Sequence, residues 1–206
     1  MQDGEVAREL TKQLDKRTGP HGIGRFSYLQ SLVTEYQDTS DADAKKQVLS
    51  NLANFAYDPI NYEYFRKLNI LDIFLDALED TDEDLIQFAV GGICNSCLDK
   101  ENKCYFLENN GVQMIIKYLS SSNNETVLMA ITTLMFLVTP QSKPDITSLP
   151  VVECMLRFSK SNNKRLCNLA RVFLEDYCTK EKIQDAENFQ KQFSTNQRDG
   201  SQNSVT

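Results

Sequence analysis

Hydrophobic and polar positions follow a helical period from Arg25 onward, and the pattern then recurs about every 41 residues. Phe26, Leu29, Leu32, Val33 and Tyr36 fall on one face, which predicts a first helix of about three turns. Four longer helices are predicted at about Asp43–Tyr57, Asp84–Leu98, Asn124–Val138 and Lys164–Cys178. Steps of 41, 41 and 40 residues bring Val48, Ala89, Ala130 and Ala170 into one slot, and Leu52, Ile93, Leu134 and Leu174 into another. A small residue paired with a larger aliphatic one suits a layer of tightly packed helices. Each long helix follows a polar stretch rich in capping residues: Ser40-Asp41-Ala42-Asp43, Thr81-Asp82-Glu83-Asp84, Ser121-Ser122-Asn123-Asn124 and Ser161-Asn162-Asn163. Side-chain oxygens there accept the free N–H groups of the first turn, so the repeat boundaries are marked twice.

Between the long helices lie two shorter apolar segments. Asn61 to Arg66 is matched by Asn102 to Leu107, and LDIFLDAL from Leu71 by VQMIIKYL from Val112. Gly111 is expected to take a positive φ in the turn between them. The pattern is all-α, and a period near 40 belongs to two- or three-helix solenoid repeats. Such repeats stack into an extended surface for holding other macromolecules.

The short, medium and long helix of each 41-residue unit resemble the armadillo repeat. The run NKCYFLENNGVQMIIKYLSSSNNETV from Asn102 resembles that family's consensus: an Asn, an apolar pair, a Gly before the second helix and a polar link into the third. The resemblance covers about Arg25 to Cys178 and implies a short armadillo-type α-solenoid of about three full repeats plus an N-terminal half repeat. Segments such as QVLSNLANFAYDPINYEYFR, FAVGGICN, ETVLMAITTLM, CMLRFS and NLARVFLEDYC resemble, more narrowly, an armadillo family of the minor spliceosome. That likeness implies a nuclear protein, and as partner an RNA-recognition-motif protein, RNA-binding motif protein forty-eight, within a spliceosomal ribonucleoprotein. Contact with RNA would then be indirect. The other reading among binding modules is a general peptide-binding adaptor, such as a nuclear transport or signalling scaffold.

Importin-type armadillo proteins line their groove with Trp and Asn one helical turn apart, and this chain has no Trp. Asn54 and Asn95 keep the Asn, Ser50 and Gly91 stand one turn earlier, and the third copy has Thr132 and Phe136 at these two slots. These six positions, with Tyr57 and Asp58 at the following turn, are the expected partner-binding residues. Tyr57-Asp58-Pro59-Ile60-Asn61-Tyr62-Glu63-Tyr64 sets three tyrosines around a proline turn, and Tyr suits interfaces because it joins a rigid apolar ring to a polar tip. The competing expectations are that each Asn only ties down a neighbouring repeat, and that Tyr64 is core.

The chain has 206 residues and a net charge of -7. A field of that sign disfavours non-specific phosphate binding. Residues 125–178 are slightly basic, and Arg157, Lys160, Lys164, Arg165 and Arg171 form the one basic concentration. Arg171 replaces Leu49, Val90 and Ile131, while Glu175 replaces Ala53, Cys94 and Met135; core slots that turn charged mark the last repeat. No apolar run reaches the roughly 18 residues of a membrane span, and MQDGEVAREL lacks signal-peptide character. A soluble cytosolic or nuclear chain with reduced cysteines is expected. Cys94-x-x-Cys97 with Cys104 nearby invites a zinc reading, but the register puts Cys94 and Cys97 in core slots, and the one His, His21, lies in the Gly19–Gly22 break. No nucleophile–base pair or phosphate loop is present in the sequence, so no catalysis, cofactor, metal or small-molecule substrate is expected. Residues 1–24 read as a flexible arm, and 179–206 as a short helix (Ile183, Ala186, Phe189, Phe193) followed by a disordered tail.

Overall fold

A computed structural model describes residues 24–202, with side chains placed through 192. The expected N-terminal arm and the break at His21 lie outside the described residues, apart from Gly24. The described residues form twelve α-helices and two short 3-10 turns, without strands. They are α1 (Arg25–Asp38), α2 (Ala42–Phe55), α3 (Tyr62–Lys67), α4 (Ile70–Ala77), α5 (Glu83–Ser96) and α6 (Lys100–Glu108). The rest are α7 (Gly111–Lys117), α8 (Asn124–Phe136), α9 (Lys143–Ile146), α10 (Leu149–Phe158), α11 (Lys164–Tyr177) and α12 (Lys180–Gln202).

The four long repeat helices start where the capping chemistry places them. Asp41, Asp82, Asn123 and Asn163, spaced by the repeat, each accept two backbone N–H groups of the first turn. The two core slots are buried in all four copies, from Val48 and Leu52 to Ala170 and Leu174. Burial of one face, rather than helix propensity, holds such helices in place.

The chain divides at Gly111–Val112 into two compact units. In the first, α1 packs on α2, α2 on α5, and α4 on both α3 and α5. The buried Asn61 and Asn102 fasten the junctions between its long and short helices: Asn61 Nδ2 donates to the Phe55 carbonyl at 2.7 Å, and Asn102 Nδ2 to that of Ser96 at 3.3 Å. Each amide thus satisfies a carbonyl that a helix end leaves open. The left-handed turn between short and medium helices falls on Asn69 (φ 54) and Asn110 (φ 58), not on Gly111 as the sequence suggests. Asn is among the few non-glycine residues that adopt that conformation, because its short polar side chain can hydrogen-bond locally. Gly111 is required for another reason: a Cβ there would lie 2.6 Å from the Phe106 carbonyl oxygen.

In the second unit, α8 packs on α11, and α10 on α11 and α12. Ser142 Oγ donates to the Leu137 carbonyl at 2.7 Å, taking the part played earlier by Asn61 and Asn102. The last helix is longer than the sequence suggests, running 23 residues to Gln202 and so into the polar segment expected to be disordered. Lys, Gln, Glu and Ala favour helix there, and the first Gly is Gly200. It is anchored on its neighbours by the fully buried Ala186, by Lys182 Nζ donating to the Thr147 carbonyl at 2.9 Å, and by Gln190 Nε2 donating to the Glu153 carbonyl at 3.2 Å.

Candidate protein-binding surface

Within the first unit the expected site residues separate into two places. Ser50 and Asn54 on α2, and Gly91 and Asn95 on α5, lie on adjacent helices. Asn54 is exposed, whereas Asn95 is half-buried and its Nδ2 donates to the Ala53 carbonyl at 3.1 Å. The Asn95 carbonyl in turn accepts the Tyr62 hydroxyl at 3.0 Å. Burial, with the carboxylates of Asp99 and Asp58, raises the Tyr62 phenol pKa and keeps it a donor. Asn95 therefore spends its amide NH₂ joining α5 to α2, and Asn54 keeps its amide at the surface.

The second place follows α2 and α5, where the helices end. Tyr57 and Leu98 occupy the same slot one repeat apart, and they are 77% and 60% exposed. Both line one open groove of about 880 Å³, with Pro59, Tyr64, Arg66 and Lys100 also on its wall. The three tyrosines of the 57–64 segment take three roles. Tyr57 is exposed, Tyr62 is buried, and Tyr64 is half-buried with its ring 5.6 Å from that of Phe26. Asp58 is half-buried and caps the 3-10 turn Pro59–Asn61 by accepting the Ile60 N–H at 3.3 Å. Arg66 is fixed on the groove wall: Nη1 donates to Asp99 Oδ1 and to Asn102 Oδ1, both at 2.8 Å, and Nε meets Glu101 Oε2 at 3.1 Å. The groove thus combines a guanidinium held in place on its wall with two exposed hydrophobic side chains, Tyr57 and Leu98, of the kind that anchors a protein partner. Of these two, Tyr57 is among the expected partner-binding residues and Leu98 is not, although it stands one 41-residue step after Tyr57.

In the second unit Thr132 and Phe136 are half-buried, and Thr132 Oγ1 donates to the Leu128 carbonyl at 2.9 Å within its own helix. Of the basic residues, Arg165 pairs with Glu125 at 2.6 Å and Arg157 lies over the Phe158 ring at 5.4 Å. Arg171 and Glu175, the charged replacements in core slots, are exposed. Cys94 and Cys97 are buried, and burial pushes the Cys97 thiol well above its usual range.

No protein-family model matches the chain. A curated relative does: this chain is 57% identical over 169 residues to armadillo repeat-containing protein 7 of Mus musculus, a match covering 81% of this chain and 85% of the relative. The chain belongs to the armadillo repeat-containing protein 7 family. Solved structures agree on the fold. A computationally designed armadillo repeat protein for modular peptide recognition has a TM-score of 0.66 at 16% identity, covering 90% of this chain and 80% of its own. A second design, in complex with the peptide (KR)4, has a TM-score of 0.63 at 16% identity, covering 90% of this chain and 83% of its own. The fold class is therefore a short armadillo-type α-solenoid, an architecture used for protein interaction.

Proposed function

We propose that this armadillo chain is a non-enzymatic scaffold that clasps a folded protein partner, and that the partner is an RNA-recognition-motif protein of the minor spliceosome in the nucleus. The observation that carries the scaffold reading is the groove after α2 and α5, where Tyr57 and Leu98 repeat in register and stand exposed. Paired apolar anchors on a stiff wall suit a folded partner, since little ordering is needed on either side. The partner's class comes from the family alone.

The test is calorimetric titration with a purified RNA-recognition-motif domain, and separately with bare RNA, over a range of salt. Tight, weakly salt-dependent binding to the domain supports the reading, as does a roughly tenfold loss of affinity in Tyr57→Ala/Leu98→Ala with an unchanged melt. Binding to bare RNA with a steep salt slope would refute it.

A second reading, an adaptor for basic peptides, is favoured by charge. Residues 24–111 carry 7 basic and 16 acidic side chains, a net of -9. A (KR)4 peptide that binds with an affinity set by salt and indifferent to Tyr57→Ala would favour this adaptor.

A further inference from the structure

Two junctions of the first unit repeat the same polar pair, but only one of them is complete. Asp99 and Asn102 have Asp58 and Asn61 as counterparts 41 residues earlier. Each Asp caps the following turn: Asp99 Oδ1 accepts the N–H groups of Glu101 and Asn102 at 3.0 Å each, and Asp58 Oδ1 that of Ile60 at 3.3 Å. Each Asn is fully buried and donates its Nδ2 to the carbonyl six residues back. At the second junction a guanidinium closes the arrangement, with Arg66 Nη1 2.8 Å from both Asp99 Oδ1 and Asn102 Oδ1. At the first, Asn61 Oδ1 has no hydrogen-bond partner although it is buried. An acceptor taken out of water without a donor is costly, which is why such atoms are rare in folded proteins.

The register also names the missing group. Forty-one residues before Arg66 stands Arg25, whose guanidinium carbon instead lies 5.1 Å from the centroid of the Phe55 ring. Phe55 occupies the position of Ser96, so the first junction offers an arginine an aromatic face that the second lacks. Tyr57, beside Asp58, adds an exposed ring at the same edge.

We propose that Asp58 and Asn61 form an unfilled guanidinium seat at the first repeat junction, taking Arg25 of this chain or an arginine of a second protein. The inference rests on the repeat register and is independent of the minor-spliceosome reading. The seat is weaker than its counterpart because Ile60 stands where Glu101 adds a third contact to Arg66.

The experiment is a double-mutant cycle with a side-chain NMR readout on the full chain. Arg25→Met is combined with Asp58→Asn, which keeps the cap and removes the charge, and Arg66→Met with Asp99→Asn serves as reference. If Arg25 fills the seat, the pair couples by about fivefold in the unfolding constant. Phe55→Leu, which removes the competing ring, then raises that coupling, and Arg25→Met shifts the Asn61 side-chain amide resonance. If the seat is filled from outside, the pair is uncoupled, and titration with N-acetyl-arginine methyl ester moves the Asn61 amide in the parent chain but not in Asp58→Asn. An uncoupled pair together with an Asn61 amide that ignores the ester overturns the proposal, the Arg66 reference showing that the method detects such a seat.

Discussion

Gly92 faces the fully buried ring of Phe74, and Gly92→Ala is the sharpest test of packing between α4 and α5. A Cβ at residue 92 would lie 2.4 Å from two carbons of that ring and 2.7 Å from a third. Ordinary carbon contacts are about 3.5–4.0 Å, so the ring would have to retreat by more than 1 Å. It has little room to do so, since Phe74 is 0% exposed and its ring centroid lies 6.1 Å from that of Phe65, itself fully buried. Overpacking of this kind costs about 1–3 kcal/mol. Alanine recovers about 1 kcal/mol of helix propensity over glycine. At the upper end of the overpacking range the net loss is about 2 kcal/mol, which for a chain of this length lowers Tm by about 4–8 °C. Thermal and urea melts followed by circular dichroism measure it. Phe74→Leu placed in the Gly92→Ala background should cost less than it does alone, because the two sites share one space. An unchanged or raised Tm in Gly92→Ala would refute the packing argument, since propensity alone predicts stabilisation.

Asn54→Ala and Asn95→Ala should part company: Asn95→Ala loses the bond to the Ala53 carbonyl and destabilises by about 1 kcal/mol, while Asn54→Ala leaves the urea midpoint in place. Iodoacetamide at pH 8 followed by peptide mass spectrometry should label the exposed Cys104 and spare Cys97, whose raised thiol pKa and burial withhold the thiolate. Tyr105 donates its hydroxyl to Asp72, and that hydrogen bond, with burial and the Asp72 charge, pushes its pKa up to about 12 from 10.0. The folded state then holds the phenol proton more tightly than the unfolded one, so this contribution to stability is complete below pH 10 and is lost as pH rises from 10 to about 12. Urea midpoints across that window should fall less steeply in Tyr105→Phe than in the parent chain; equal slopes would remove Tyr105 from the account.

The sequence by itself determined the repeat and most of its interior. Helical period and capping are local properties, set by residues three or four apart and by the side chain before the first turn, so Asp41, Asp82, Asn123 and Asn163 marked their helices. The 40- to 41-residue step then placed Val48, Leu52 and their counterparts in the core, and moved Cys94 and Cys97 there with them. Tertiary structure alone decided how equivalent residues divide their tasks. Asn54 and Asn95 share a slot, yet only Asn95 finds a carbonyl of the preceding long repeat helix, because a hydrogen bond 42 residues long in sequence depends on where two helices come to rest. In the same way Asn61 and Asn102 read alike in sequence, and only the placement of Arg66 against Asp99 and of Arg25 against Phe55 tells them apart. The groove belongs to that second kind of fact: the sequence made Tyr57 conspicuous, and helix packing put Leu98 on the same wall.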